Sequence, residues 1–177
     1  MPDKINNPAI KFPVKTILLS GLLVGTLDIS SAFVDYYSAT GKNPLAILPY
    51  IASGVFGKSV LGSDSAGMML MGLLLHYIIA FAFTIFFFWL YSRTSLLPAN
   101  WVLRGFVYGI FIWIIMNLIV VQLSGVPHGP ISAMKITKII KSALILIFMI
   151  GLPLSFIAHR YSISKSEKKQ ESDLQSL

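Results

Sequence analysis

The stretch from Gly67 to Tyr91 reads GMMLMGLLLHYIIAFAFTIFFFWLY and holds no Asp, Glu, Lys or Arg. About 20 apolar residues in an α-helix, rising 1.5 Å each, cross a bilayer core of roughly 30 Å. A helix of this length in water needs a polar stripe, and this one has none. The segment is therefore a transmembrane helix, and the rest of the chain must be read with lipid as its solvent.

Working outward, three further stretches meet the same requirement: Val14 to Tyr36 before it, and Val102 to Gln122 and Ile139 to Ala158 after it. The expected fold is an all-α, polytopic four-helix transmembrane bundle occupying residues 1–160 as one domain. The first stretch is too long for a cleaved signal peptide, and it carries Asp28 with no small-residue cleavage site following. Composition agrees. The chain is 55% hydrophobic and only 12% charged, against roughly a quarter charged in a soluble domain. Charges this sparse cannot cover a water-facing surface. The net charge of +7 sits in terminal and loop segments, where it meets anionic headgroups and sets topology. The basic residues form no helix face interleaved with stacking aromatics, which argues against nucleic acid and leaves the lipid bilayer as the partner. The absence of cysteine excludes disulfides, thiolate metal sites and the membrane enzymes that work through a Cys pair.

The breaks are marked chemically. Gly62-Ser63-Asp64-Ser65 supplies turn and cap residues before the second helix, and Pro98-Ala99-Asn100 separates the second from the third. Gly125-Val126-Pro127-His128-Gly129-Pro130 cannot continue a helix, since two prolines remove backbone donors. The tail, residues 161–177, is too polar to bury anything and is expected to be disordered.

Four spans put both termini on one side. That side, with the loop between the second and third helices, holds Lys4, Lys11, Lys15, Arg93, Arg104, Arg160, Lys165, Lys168 and Lys169, nine in all. The other holds Lys42, Lys58, Lys135, Lys138 and Lys141, which is five. The positive-inside rule makes both termini cytoplasmic. Trp89, Tyr91 and Trp101 then form the inner aromatic belt, and Tyr36, Tyr37 and Tyr50 the outer one. The first outer loop, Tyr37 to Ala66, is long and mostly apolar from Pro44 to Leu61. Ile47, Ile51 and Phe56 fit a short helix that either lies in the interface or re-enters the bundle.

Helices in lipid associate through small residues that let backbones approach and through polar groups that bond across. The first helix carries such a stripe at Gly21, Gly25, Asp28, Ala32 and Asp35. The second has Gly72, His76, Ala80 and Thr84, and the third Gly105, Gly109, Trp113 and Asn117. In the fourth, Ser142, Ser155 and His159 are the polar candidates, and Gly151 with Pro153 is expected to kink it. The glycines mark close packing, inside one bundle or at a seam between copies or with a membrane partner.

Depth singles out three residues. Asp28 lies roughly 12 Å below the outer end of its helix, His76 roughly 13 Å and Asn117 roughly 8 Å. They form the candidate polar site of the outer half, whereas His159 is at the opposite end. Asp35 sits one residue from the interface and is expected to be solvated. A carboxylate at mid-membrane costs about 2.5–3.5 kcal/mol on insertion scales, so Asp28 must be protonated, paired with His76 or wetted. The three serve either as an interhelical lock or as a site for protons or small solutes. No phosphate-cradling loop, paired metal-binding His spacing or Ser/His/Asp arrangement is visible, so no catalytic residue, metal or cofactor is assigned. A membrane enzyme would have only Ser53 as nucleophile, and only if the first loop re-enters. Lys135, Lys138 and Lys141 line one side of a helix start, as anionic headgroup contact would require.

Gly25-Thr26-Leu27-Asp28 with Ala32, Ile51-Ala52-Ser53-Gly54, His76-Tyr77-Ile78-Ile79-Ala80, Tyr108-Gly109, Asn117 and Gly151-Leu152-Pro153 together resemble a group of uncharacterised bacterial four-helix inner-membrane proteins. The likeness spans about three quarters of the chain. It implies a bacterial inner-membrane location and brings no activity with it. The expected function is a structural or regulatory membrane subunit; the alternatives are a small carrier or channel and a membrane-embedded enzyme.

Overall fold

The structure, a computed structural model, describes residues 11–93, 100–127, 129 and 134–175. Lys4, Pro98, Ala99, His128 and Pro130, all used in the sequence reading, lie outside the described residues. Five helices make up the fold: α1 (Val14–Thr40), α2 (Ile47–Phe56), α3 (Ala66–Arg93), α4 (Trp101–Leu123) and α5 (Ile136–Gln175). All but α2 are long and apolar enough to cross a membrane. The chain is thus an all-α protein with four candidate spans.

The helix ends follow local chemistry. Gly41 takes a left-handed conformation, φ 66°, and its N–H bonds Tyr37 O at 2.8 Å to close α1. Asn100 opens α4 by accepting from Val102 N at 2.8 Å. The expected kink near Gly151 and Pro153 takes a definite form. Pro153 has no N–H to offer Met149 O, so the ladder there would break. The helix widens instead into a π-helical turn over Ile147–Gly151, with Leu152 N bonding Ile147 O. A second π-turn covers Met116–Val120. It begins where the Asn117 side chain donates to Trp113 O at 2.9 Å, taking a carbonyl that an α-helical ladder gives to a backbone N–H.

The disordered tail expected over 161–177 needs correction, because α5 runs on to Gln175. The apolar part of α5 has already met the cost of nucleation, and each further Lys, Glu or Gln adds a hydrogen bond to a helix already present. Ser166 Oγ adds a bond to Ser162 O at 3.1 Å.

The loop helix α2 packs along the outer part of α3. Its buried stripe is Leu48, Pro49, Ala52 and Ser53, one position off the Ile47, Ile51 and Phe56 face read from the sequence. Tyr50, Val55 and Phe56 face outward instead. The approach is closest at Gly72, where a Cβ would stand 2.0 Å from Leu48 O. Gly21 and Gly25 seat α1 against Phe81 and Tyr77 of α3 in the same way. On the other side of the bundle Gly105 and Gly109 receive the π-turn of α5, at Gly151, Leu152 and Ile147. All five glycines of the small-residue stripes therefore lie at seams within one chain. The apolar core gathers around Val24, Phe87, Phe88, Tyr108, Ile112 and Leu154, whereas Leu18, Leu22, Leu70, Leu74, Ile78, Ile85 and Ile110 face outward as a lipid-exposed surface requires. At the end of the bundle where α3 closes and α4 begins, the Arg104 guanidinium stacks over the Tyr91 ring, 4.3 Å from its centroid.

A Cβ on Gly151 would lie 2.1 Å from Gly105 O, against backbone that has nowhere to move. Gly151→Ala should cost about 1–3 kcal/mol, the range for overpacking a tight core. Gly67→Ala, where a Cβ meets only Ser65 Oγ at 3.6 Å, should leave stability nearly unchanged. Thermal melting of the two variants in the same detergent checks the contrast.

Candidate functional site

Glycine at position 25 leaves the α1 backbone open to approach, and the His76 ring of α3 uses the space. Its Nε2 lies 2.9 Å from Gly25 O. A carbonyl oxygen only accepts, so Nε2 carries the proton and donates. One residue along each helix, Tyr77 Oη and Thr26 Oγ1 are 2.8 Å apart. Thr26 already gives its single proton to Leu22 O at 2.8 Å, so Tyr77 is the donor. Asp28 lies one turn along α1 from Gly25, within electrostatic reach of His76. Two of the three residues singled out from the sequence, Asp28 and His76, thus share one seam.

Asn117 is placed elsewhere. Its amide is bonded within α4, to Trp113 O, and its backbone oxygen accepts from Gln122 Nε2 at 3.3 Å. It borders a cavity of about 860 Å³ at the end of the bundle where α4 finishes and α5 begins. That cavity lies between the end of α1, the tip of α2, the end of α4 and the first turns of α5. Asp35, Asn117, Gln122, Lys135, Lys138 and Lys141 give it its polar wall. Asp28 and His76 are absent from that wall.

Asp35, expected to be solvated, is partly exposed but ion-paired with Lys141. An exposed pair of this kind contributes about 0–1 kcal/mol, so its role is to fix where the two charges stand. Tyr50 Oη donates to Pro127 O at 3.2 Å, tying α2 to the loop after α4, and Gly125 N bonds Gly54 O at 3.0 Å beside it. Burial pushes the Tyr50 phenol above its ordinary pKa, which keeps the donated proton in place.

The polar groups lower in the bundle are spent on neighbouring helices. Tyr108 Oη donates to Phe83 O at 2.6 Å, joining α4 to α3. Trp113 Nε1 donates to Ser142 Oγ at 2.7 Å, and Ser155 Oγ to Trp101 O at 2.7 Å, joining α4 to α5 twice. Ser53 Oγ donates to Tyr50 O at 2.6 Å, so its proton is directed at its own helix and not at His76. Among the described residues no group of three His, Cys, Asp or Glu stands close enough to hold a metal ion.

Sequence reasoning missed the cavity, although it had two of its parts. The three-residue spacing of Lys135, Lys138 and Lys141 was visible, but that Asp35 and Asn117 face the same space depends on how α1 and α4 are rotated. It also missed Tyr108 as a latch, since a tyrosine in an apolar run reads as core.

Replacing His76 by Ala removes the bond to Gly25 O and leaves Asp28 without its neighbour. The variant should lose about 1–2 kcal/mol. Tyr77→Phe should lose about 0.5–1 kcal/mol, because Thr26 keeps its own bond to Leu22 O. Melting temperatures of the two proteins, read in one detergent, test the order. Comparison with family models, with curated proteins and with solved structures returns no match to this chain.

Proposed function

We propose that the chain is a non-catalytic structural or regulatory subunit of a bacterial inner membrane, with both termini cytoplasmic and with Asp28 and His76 as an interhelical lock. The observation that carries this reading is the His76 Nε2–H bond to Gly25 O. A proton carrier needs its ring nitrogen free to exchange protons with a wet path. Here Nε2, one of the two ring nitrogens, is committed to a backbone carbonyl that has no protonation chemistry, which supports a structural role for the ring. The cavity with three lysines on its wall does not include Asp28 or His76, and the other buried latches have the same character. Each bond is worth about 0.6–2 kcal/mol in a membrane, enough to fix rotation and register of helices that lipid alone would leave free to slide. An enzyme reading is disfavoured because nucleophile and base must be within hydrogen-bond reach of each other, and Ser53 and His76 each bond to a different backbone carbonyl. The partners of such a subunit are lipid and either further copies of itself or another membrane protein.

Asp28→Asn discriminates between lock and carrier. As part of a lock, the amide keeps a hydrogen-bonding group beside His76, so melting temperature should hold within about 1 kcal/mol of the parent. Liposomes holding the parent protein should then show no proton leak above empty liposomes. A proton flux that the parent supports and Asp28→Asn abolishes would overturn the reading in favour of a carrier. Orientation has its own test, made clean by the absence of native cysteine. Lys168→Cys should react with an impermeant thiol reagent only after spheroplasts are opened, and Asp64→Cys before.

A further inference from the structure

The cavity contains more positive charge than the structure neutralises. Lys135, Lys138 and Lys141 all border it, against one carboxylate, Asp35, which is held by Lys141. Among the described residues no carboxylate faces Lys135 or Lys138. The first turn of α5 adds to this field. Lys135 caps the helix with an extended backbone and no side-chain cap bond; its carbonyl takes the Lys138 and Ile139 amides, so those of Ile136 and Thr137 are the ones that keep their partial positive charge. Neutral groups stand opposite, namely Asn117 and Gln122, on or next to the π-turn of α4. The Asn117 Nδ2 that bonds Trp113 O has a second N–H. The volume, about 860 Å³, lies within the range of about 300–1,000 Å³ typical of small-molecule sites.

We propose that this cavity is a binding site for a phosphate-bearing anion, the phosphodiester headgroup of an anionic phospholipid or a free phosphate. Lys135 and Lys138 supply the charge, the first turn of α5 and the Asn117 amide supply donors, and the Asp35–Lys141 pair sets the inner wall. The chemistry argues against a cation as ligand, because among the described residues the one carboxylate on the wall is already matched. It also gives Asp35 a directional role. Its negative charge opposes the ligand, so removing that charge should tighten binding, whereas in a cation site it would loosen it. The inference is independent of the lock reading, which concerns residues outside the cavity wall.

The test uses the full chain in a non-ionic detergent at low salt. Three proteins are compared: the parent, Lys135→Gln/Lys138→Gln, and Asp35→Asn. Both lysines are exposed, and the melting temperature without additive checks that each variant folds. Inorganic phosphate is titrated calorimetrically, and melting is followed with added phosphatidylglycerol or, as neutral control, phosphatidylcholine. A ligand that binds the folded form raises the melting temperature. A lipid source is shown if phosphatidylglycerol raises it and phosphatidylcholine does not. A free anion is shown if inorganic phosphate binds and the two lipids act alike. In either case the double variant should weaken binding about tenfold or more and Asp35→Asn should strengthen it. The proposal is overturned if neither probe binds, if the double variant binds as the parent does, or if Asp35→Asn weakens binding. Should the double variant fail to fold, Lys138→Gln alone and the opposite response of Asp35→Asn decide the matter.

Discussion

Close backbone approach at glycine is the constraint on which the rest of this structure depends. Lipid tails are as apolar as leucine, so four greasy helices gain nothing by hiding from them. What remains is dispersion, which needs contact, and hydrogen bonds, which need short distances. Gly72 against Leu48 and Gly151 against Gly105 bring main chains so near that a methyl group would not fit, and Gly25 admits the Tyr77 ring as closely. At those distances a side chain on one helix reaches the backbone of the next. His76 meets the carbonyl of a glycine because no Cβ shields it, and Ser155 reaches Trp101 O from the helix that Gly105 admits.

The latches share a rule. His76, Tyr108 and Ser155 all donate to backbone carbonyls that already serve their own helical ladders. A carbonyl has two lone pairs, and the ladder uses one. An extra donor can thus be satisfied without any second polar side chain being carried into lipid. The bundle gains specificity of rotation at little cost in insertion, since few ionisable groups are needed. Asp28 is the exception, and it lies beside the one histidine of the seam.

Much of this was legible in the sequence. The spans could be read because lipid demands unbroken apolar runs, and the packing glycines because their spacing repeats every turn of a helix. Asp28 and His76 were placed together by depth and by their positions on the small-residue faces, and they stand within electrostatic reach of each other. Asn117 does not join them, because depth is one coordinate and the angle around the bundle is another. It lines the cavity with Asp35 and the lysines of α5, and no pattern within α4 specifies that angle. The side of α2 that meets the bundle was not legible for a similar reason: nearly every residue from Ile47 to Phe56 is apolar, so periodicity cannot say which side is inward. The tail from residue 161 misled by composition. Lys, Glu and Gln mark chains that cannot fold alone, but here they extend a helix begun by an apolar segment.

Asp35 and Asp28 show how one residue type serves two environments along a single stripe. Seven residues separate them, two turns of α1. The deeper one faces α3, where the bundle is tight. The shallower one is paired with Lys141 of α5, where α1, α4 and the first turns of α5 border the cavity. Where helices touch, the carboxylate stands within electrostatic reach of a histidine. Where they diverge, it finds a lysine and leaves two more lysines unmatched across an open space.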